Sequence, residues 1–343
     1  MEELVNRIVE IIGDYRSGSE AEIDRDRVIS WVEQFDESDR EFLLTELIHI
    51  LPKSYISEKE ARETLGGSFE YLRKKYNQES IDEFLQNSKF LSCQGLHKSQ
   101  TKLLEFLREY AEEELNFNFD DCGIESEKYW VYLDDVLASG GTFRREIIEK
   151  INDYGTERFV EDDIKIISIF FFLHSWGCAN SKYVILKDLG KNIASRIDFH
   201  RVFEIENDPR INYFNPNPAF NHAFPMDSSE SWREFLETLD ADRQAQYAFR
   251  PPEKPNKESF YSSAENRNRY EQIVLNKGIE IIERIHNVGA PVRPLGFTSP
   301  SYKTLGAGSH AFTWRNISNT CPLVYWWESN GWFPLFSVAN RGI

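Results

Sequence analysis

Residues 129–150 read YWVYLDDVLASGGTFRREIIEK. An apolar run, WVYL, ends on two acids, Asp134 and Asp135. A small-residue loop, Ala138-Ser139-Gly140-Gly141-Thr142, then opens into a helix pattern. Ligands of open parallel sheets sit outside the carboxyl ends of the strands, which is where both acids fall. The loop offers backbone N–H groups at a helix N-terminus. Gly140 and Gly141 permit close approach, and Ser139 and Thr142 add hydroxyl donors, a combination that suits phosphate. Carboxylates beside it would repel a bare phosphate, but they suit hydroxyls or a cation on the same ligand. A ribose 5-phosphate carries both features, with phosphate at one end and two adjacent hydroxyls at the other. The plainer alternative is a strand end with solvated aspartates and a hydroxyl-capped helix.

The flanking pattern supplies the elements that would hold these groups. Apolar strand signals fall at residues 90–93, 129–136, 164–173 and 199–205, and the third is nearly continuous, as in a strand buried on both faces of a parallel sheet. Helical periodicity separates them at 99–115, 143–151 and 181–197. Such alternation predicts an α/β fold with a doubly wound, mainly parallel sheet. Before it, helical spacing marks residues 4–12, 28–35, 42–51 and 58–76, the last weakened by Gly66 and Gly67. After it, Asn, Pro and aromatic residues dominate, one long helix covers 264–288, and PLVYWW at 322–327 reads as a strand. The expected organisation is an N-terminal helical cap (1–88), an α/β core (89–207) and a C-terminal aromatic-rich extension (208–343).

The order of apolar strand, acidic pair, aliphatic pair and small-residue loop closed by Gly and Thr resembles the phosphoribosyl-pyrophosphate motif of type I phosphoribosyltransferases. By that resemblance Asp134 and Asp135 hold the ribose hydroxyls, Ala138, Ser139, Gly140, Gly141 and Thr142 cradle the 5′-phosphate, and magnesium bridges the ribose and the pyrophosphate. LSCQGLHKSQ, residues 91–100, stands where the family places its pyrophosphate loop, so Gln94, Gly95, Lys98 and Ser99 become candidate donors; an ordinary strand–helix turn is the alternative. FFFLHSWG places His174 and Trp176 at the next strand end, where a base would stack or bond, or where an interior aromatic sits beside a satisfied histidine. In the tail, Trp314, Asn316 and Asn319 offer a hood over a base or a purely structural cover.

VISWVEQFDESDREFLLTELIHIL, KSQTKLLEFLREY, YLDDVLASGGT and NTCPLVYWWESNGWFPLF together resemble a narrower group, the phosphoribosyltransferase-like effectors of bacterial conflict and antiphage systems, including retron-type ones. That resemblance implies a defence effector that makes or breaks the C1 bond of phosphoribosyl pyrophosphate or a nucleotide, with a protein partner such as a reverse transcriptase complex. The segment NFNFDDCGIESEK before the acidic strand is short and acidic for a pyrophosphate lid, since Asp120 and Asp121 repel a leaving group. The alternative it favours is a non-catalytic nucleotide sensor or scaffold that gates a partner.

Composition narrows the field further. The 343 residues carry a net charge of −17, which argues against a broad nucleic-acid surface. The four cysteines, Cys93, Cys122, Cys178 and Cys321, show no C-x-x-C spacing and read as free thiols of a reducing compartment. No charged-then-apolar segment opens the chain, and the 164–173 run is too short to span a bilayer, so a cytoplasmic protein without a membrane partner is expected.

Overall fold

A computed structural model describes residues 1–95, 99–213, 215–227, 235, 237, 247–289, 291–298, 304–328 and 331–338. Two units emerge. One comprises Glu58–Glu204, and the other joins Met1–Ser57 to Ile205–Ile343.

The Glu58–Glu204 unit holds a parallel sheet of four strands in the order β2-β3-β4-β5. These are β2 (Ser88–Phe90), β3 (Tyr129–Leu137), β4 (Lys165–His174) and β5 (Ile197–Ile205). β2 pairs with β3, and β3 with β4, in parallel register, with Ser88 opposite Tyr129 and Tyr129 opposite Lys165. β4 is buried from Ile166 to His174, which accounts for its unbroken apolar sequence.

Helices cover both faces. Trp130, Tyr132, Ile166 and Phe170 share a core with α7 (Gly141–Tyr154), α8 (Thr156–Glu161), α9 (Ser175–Leu189) and α10 (Lys191–Ala194). On the other face Tyr129 packs on Tyr76 and Phe84, and Phe90 packs on Phe69, residues of or beside α4 (Glu58–Lys75) and α5 (Ile81–Gln86). α6 (Ser99–Glu113) lies against α4, where Gly66 explains itself. A Cβ there would meet the Tyr110 ring at 2.3 Å, so the glycine that weakens the helix pattern is what lets α6 approach.

The second unit contains α1 (Glu2–Ile12), α2 (Arg25–Val32), α3 (Glu37–Ile50), β1 (Tyr55–Ile56), α11 (Ala264–Glu283), β6 (Phe312–Thr313), β7 (Asn316–Ile317) and α12 (Leu323–Trp326). β1, β6 and β7 form a small sheet, with β1 parallel and β7 antiparallel to β6. A buried ionic cluster organises α11. Arg267 donates to Glu271 (2.9 Å) and Glu258 (3.0 Å), and Glu271 also accepts from the Phe224 amide (3.0 Å) and from Arg250 (3.3 Å). Every charge in it is answered, the condition under which buried ions are tolerated.

Three sequence expectations are corrected. PLVYWW forms the short helix α12, not a strand: the Trp327 amide bonds Leu323 O, and the Val324 carbonyl accepts the indoles of Trp31 (2.8 Å) and Trp332 (3.0 Å). Buried all round, the segment carries no periodicity to reveal its type. The helix expected at 181–197 is α9 and α10, broken at Gly190, whose φ of 82° no helix accommodates. The first core strand lies at Ser88–Phe90, two residues before the expected start. Among the described residues no helix is long and apolar enough to cross a membrane.

Candidate functional site

β3 carries the acidic pair at its carboxyl end, and both side chains are half-buried. α6 straps the loop after β2 to this strand end. The Gln100 side chain accepts from the amides of Cys93 (2.6 Å) and Gln94 (3.0 Å) and donates to the Leu133 carbonyl (3.1 Å). That strap brings the loop residue Gln94 and the first residue of α6, Ser99, onto Asp134. Ser99 Oγ donates to Oδ1 (2.6 Å), and Gln94 Nε2 donates to Oδ2 (3.0 Å). The Asp135 amide adds a third bond to Oδ1 (2.9 Å). Below them the Tyr132 hydroxyl donates to Glu146 of α7 (2.8 Å) and accepts from Gln94 Nε2 (3.3 Å).

Burial pushes the Asp134 carboxyl up, the neighbouring Asp135 charge adds to the rise, and the bonds from Ser99 and Gln94 oppose it; the outcome is a pKa of about 7. The Asp135 carboxylate has one described side-chain contact, a hydrogen bond shared with the Asp134 carboxyl. The two acids thus differ: Asp134 takes bonds from Ser99, Gln94 and the Asp135 amide, whereas the Asp135 carboxylate meets Asp134 alone.

The small-residue loop turns into α7 at Gly140, whose φ of 73° is the left-handed region. Behind it stands α9. A Cβ on Gly140 would lie 2.0 Å from Ser181 Oγ, and one on Gly177 would lie 1.8 Å from the Ala138 carbonyl. Both glycines are therefore set by close approach, and the loop is wedged against α9. Arg144 Nη1 donates to the Ser139 carbonyl (3.0 Å). The Gly141 amide leans weakly on Ser139 Oγ (3.4 Å), while the amides of Gly140, Thr142 and Phe143 donate to no described residue. Uncapped amides at the start of a helix are the groups that bind anions at helix N-termini in general, and this 14-residue helix leaves them so.

A profile described as PRTase-CE matches residues 28–338. The chain belongs to the PRTase-CE family of phosphoribosyltransferase-like effectors. No curated protein and no solved structure matches it. In this PRTase-CE protein the α/β fold is the phosphoribosyltransferase-like one, with the acidic strand β3 flanked by β2 and β4.

The remaining candidates fall as follows. Gln94 and Ser99 meet Asp134 directly, whereas Lys98 lies outside the described residues. His174 stands at the N-cap position of α9 without a side-chain capping bond, and Trp176 lies in its first turn, one residue before the Gly177 contact with the loop; both are buried. Burial pushes the His174 imidazole down to about 3, so it is neutral at physiological pH. Trp314 is buried in the second unit, with Asn316 in β7. Asp120, in the acidic segment before β3, is paired with Arg108 at 2.8 Å. Among the described residues no cluster of three or more His, Cys, Asp or Glu could hold a metal. Sequence reasoning passed over Gln100, Tyr132, Arg144, Glu146 and Gly177. The alternation of β3, which puts Tyr132 on the Asp134 side, was the one signal for them.

Proposed function

We propose that this PRTase-CE protein binds the ribose 5-phosphate portion of phosphoribosyl pyrophosphate or a nucleotide at the end of β3, and makes or breaks its C1 bond. The observation that carries this is the adjacency, within one unit, of the carboxyl pair Asp134 and Asp135 and the uncapped amides of Gly140, Thr142 and Phe143. Asp135 accepts from a ribose hydroxyl, Asp134 is held in place by Ser99 and Gln94, and the loop amides bind the 5′-phosphate. Breaking the C1 bond develops positive charge on the sugar. A fixed carboxylate pair and an anchored phosphate orient the sugar and stabilise that charge. With water as acceptor the reaction is nucleotide hydrolysis; with a base or a protein side chain it is transfer.

The donor set fits magnesium. Mg²⁺ takes one or two carboxylates together with substrate phosphates, and Asp134 and Asp135 stand side by side at the strand end. Bound with the ligand, it would neutralise a pyrophosphate leaving group. The effector character of the family supports a defence role; that it is antiviral, cytoplasmic and exercised with a partner such as a reverse transcriptase complex is what the sequence resemblance implies. A second reading, a nucleotide sensor that gates a partner without turnover, is favoured by the three internal donors on Asp134, which compete with ribose hydroxyls.

The test compares wild type with the double variant Asp134→Asn, Asp135→Asn. Metabolite profiles of expressing cells and magnesium-dependent thermal shifts with phosphoribosyl pyrophosphate are the readouts. Loss of both signals in a folded double variant is expected, and their retention would overturn the reading. Ligand shift with no change in metabolites would select the sensor.

A further inference from the structure

The Ser139 carbonyl accepts from Arg144 Nη1 at 3.0 Å, and Arg144 stands where α7 and α9 meet. A Cβ on Gly140 would lie 3.4 Å from Arg144 Nη1, and the same probe touches Ser181 and Gly177 of α9. Asp188 of α9 acts on the guanidinium through its charge. The cation is therefore behind the loop, on the side of the α9 wall.

A trans peptide places the carbonyl of one residue and the N–H of the next on opposite sides of a rigid plane. Fixing the Ser139 carbonyl toward Arg144 fixes the Gly140 N–H away from that wall. Gly140 has no Cβ and a φ of 73°, so nothing local holds this plane; a glycine there flips readily unless something outside the turn grips it. The grip is the guanidinium. Its planar fork fixes direction as well as charge, which a lysine ammonium does not.

We infer that Arg144 is a positioning residue of the phosphate cradle: through the Ser139 carbonyl it aims the Gly140 amide at the anion. This rests on the reading of the loop as a ribose 5-phosphate site. Arg144 itself faces the back of the loop and need not touch the ligand.

The experiment titrates the full chain with ribose 5-phosphate, and with ribose as the phosphate-free control, while following backbone amides by NMR. In the wild type the Gly140 amide moves strongly on adding ribose 5-phosphate. In Arg144→Met, affinity for ribose 5-phosphate falls by about tenfold, the scale of one charge-assisted hydrogen bond. The Gly140 response is then lost, the Thr142 and Phe143 responses persist, and the melting temperature stays close to wild type. Arg144→Lys retains the charge and is expected to remain several-fold weakened. Full recovery of affinity by lysine, with the Gly140 response still lost, assigns the effect to charge and overturns the positioning role. Wild-type binding that survives Arg144→Met unchanged overturns it as well. A wild type that binds neither ribose 5-phosphate nor inorganic phosphate defeats the cradle reading and this role together, a result distinct from the other two.

Discussion

The Ser99 hydroxyl, on the first residue of α6, donates to Asp134 Oδ1 across 2.6 Å. The start of α6 is thereby fastened to the acid of the next strand before any ligand arrives. The bond holds the Asp134 pKa below where burial and Asp135 would otherwise set it. Ser99→Ala should therefore raise the carboxyl above about 7. A ¹³C titration of the Asp134 side chain reads this directly, and a fall would contradict the assignment.

Asp134 also gives stability a pH dependence. Its pKa is 3.8 in the ordinary range and about 7 in the fold, so the folded protein holds this proton more tightly than the unfolded chain. Across the window from 3.8 to about 7 the unfolded state binds fewer protons, and stability falls as pH rises through it. Asp134→Asn removes the contribution, so its melting temperature should decline less steeply over that window. Parallel profiles for wild type and variant would refute this.

The two acids should part company in binding. Asp135→Asn removes the less engaged carboxylate and is expected to weaken ribose 5-phosphate binding by roughly ten- to a hundredfold, the range of a hydrogen bond to a charged group. Asp134→Asn keeps an acceptor for Ser99 and should cost less. Calorimetry on the two single variants decides; equal losses would remove the distinction.

Gly140→Ala meets two obstacles, a left-handed backbone and a Cβ 2.0 Å from Ser181 Oγ. The backbone alone costs about 1–2 kcal/mol. Gly140→Ala with Ser181→Ala removes the closest clash, leaves the Gly177 carbonyl at 3.0 Å, and should recover part of the steric cost only. Denaturant unfolding separates the two, and full recovery would show that φ at this position is adjustable.

Gly66→Ala sets propensity against packing. Alanine gains about 1 kcal/mol in a helix interior. The Tyr110 ring lies 2.3 Å from the new methyl, and overpacking of this kind costs about 1–3 kcal/mol. Net destabilisation is expected in urea unfolding, and a stabilised variant would mean that α6 moves freely.

Much of this was legible in sequence because it depends on local order. β3 and β4 announce themselves by unbroken apolar runs, and the acidic pair and loop by composition in consecutive positions. What stayed hidden depends on partners distant in the chain. Tyr55 pairs with Phe312 in strands two residues long, too short for any alternation to register. Arg144 reads as one more surface cation of α7, because its acceptor is a backbone carbonyl and carbonyls have no signature. Gly177 sits in a helix where only the approach of Ala138 explains it. Leu323–Trp326, apolar on every side, carries no pattern that separates a helix from a strand.

The wedge of Ala138 and Gly140 against α9 has a consequence for selectivity. The acidic pair and the loop amides hang on one strand and one turn, and the loop end cannot slide back, because Gly177 and Ser181 leave no room behind it. The site is a fixed gauge. For the proposed ribose 5-phosphate ligand it would measure the span from a vicinal diol to a terminal phosphate, so that a sugar phosphate one carbon longer or shorter would forfeit one grip to keep the other.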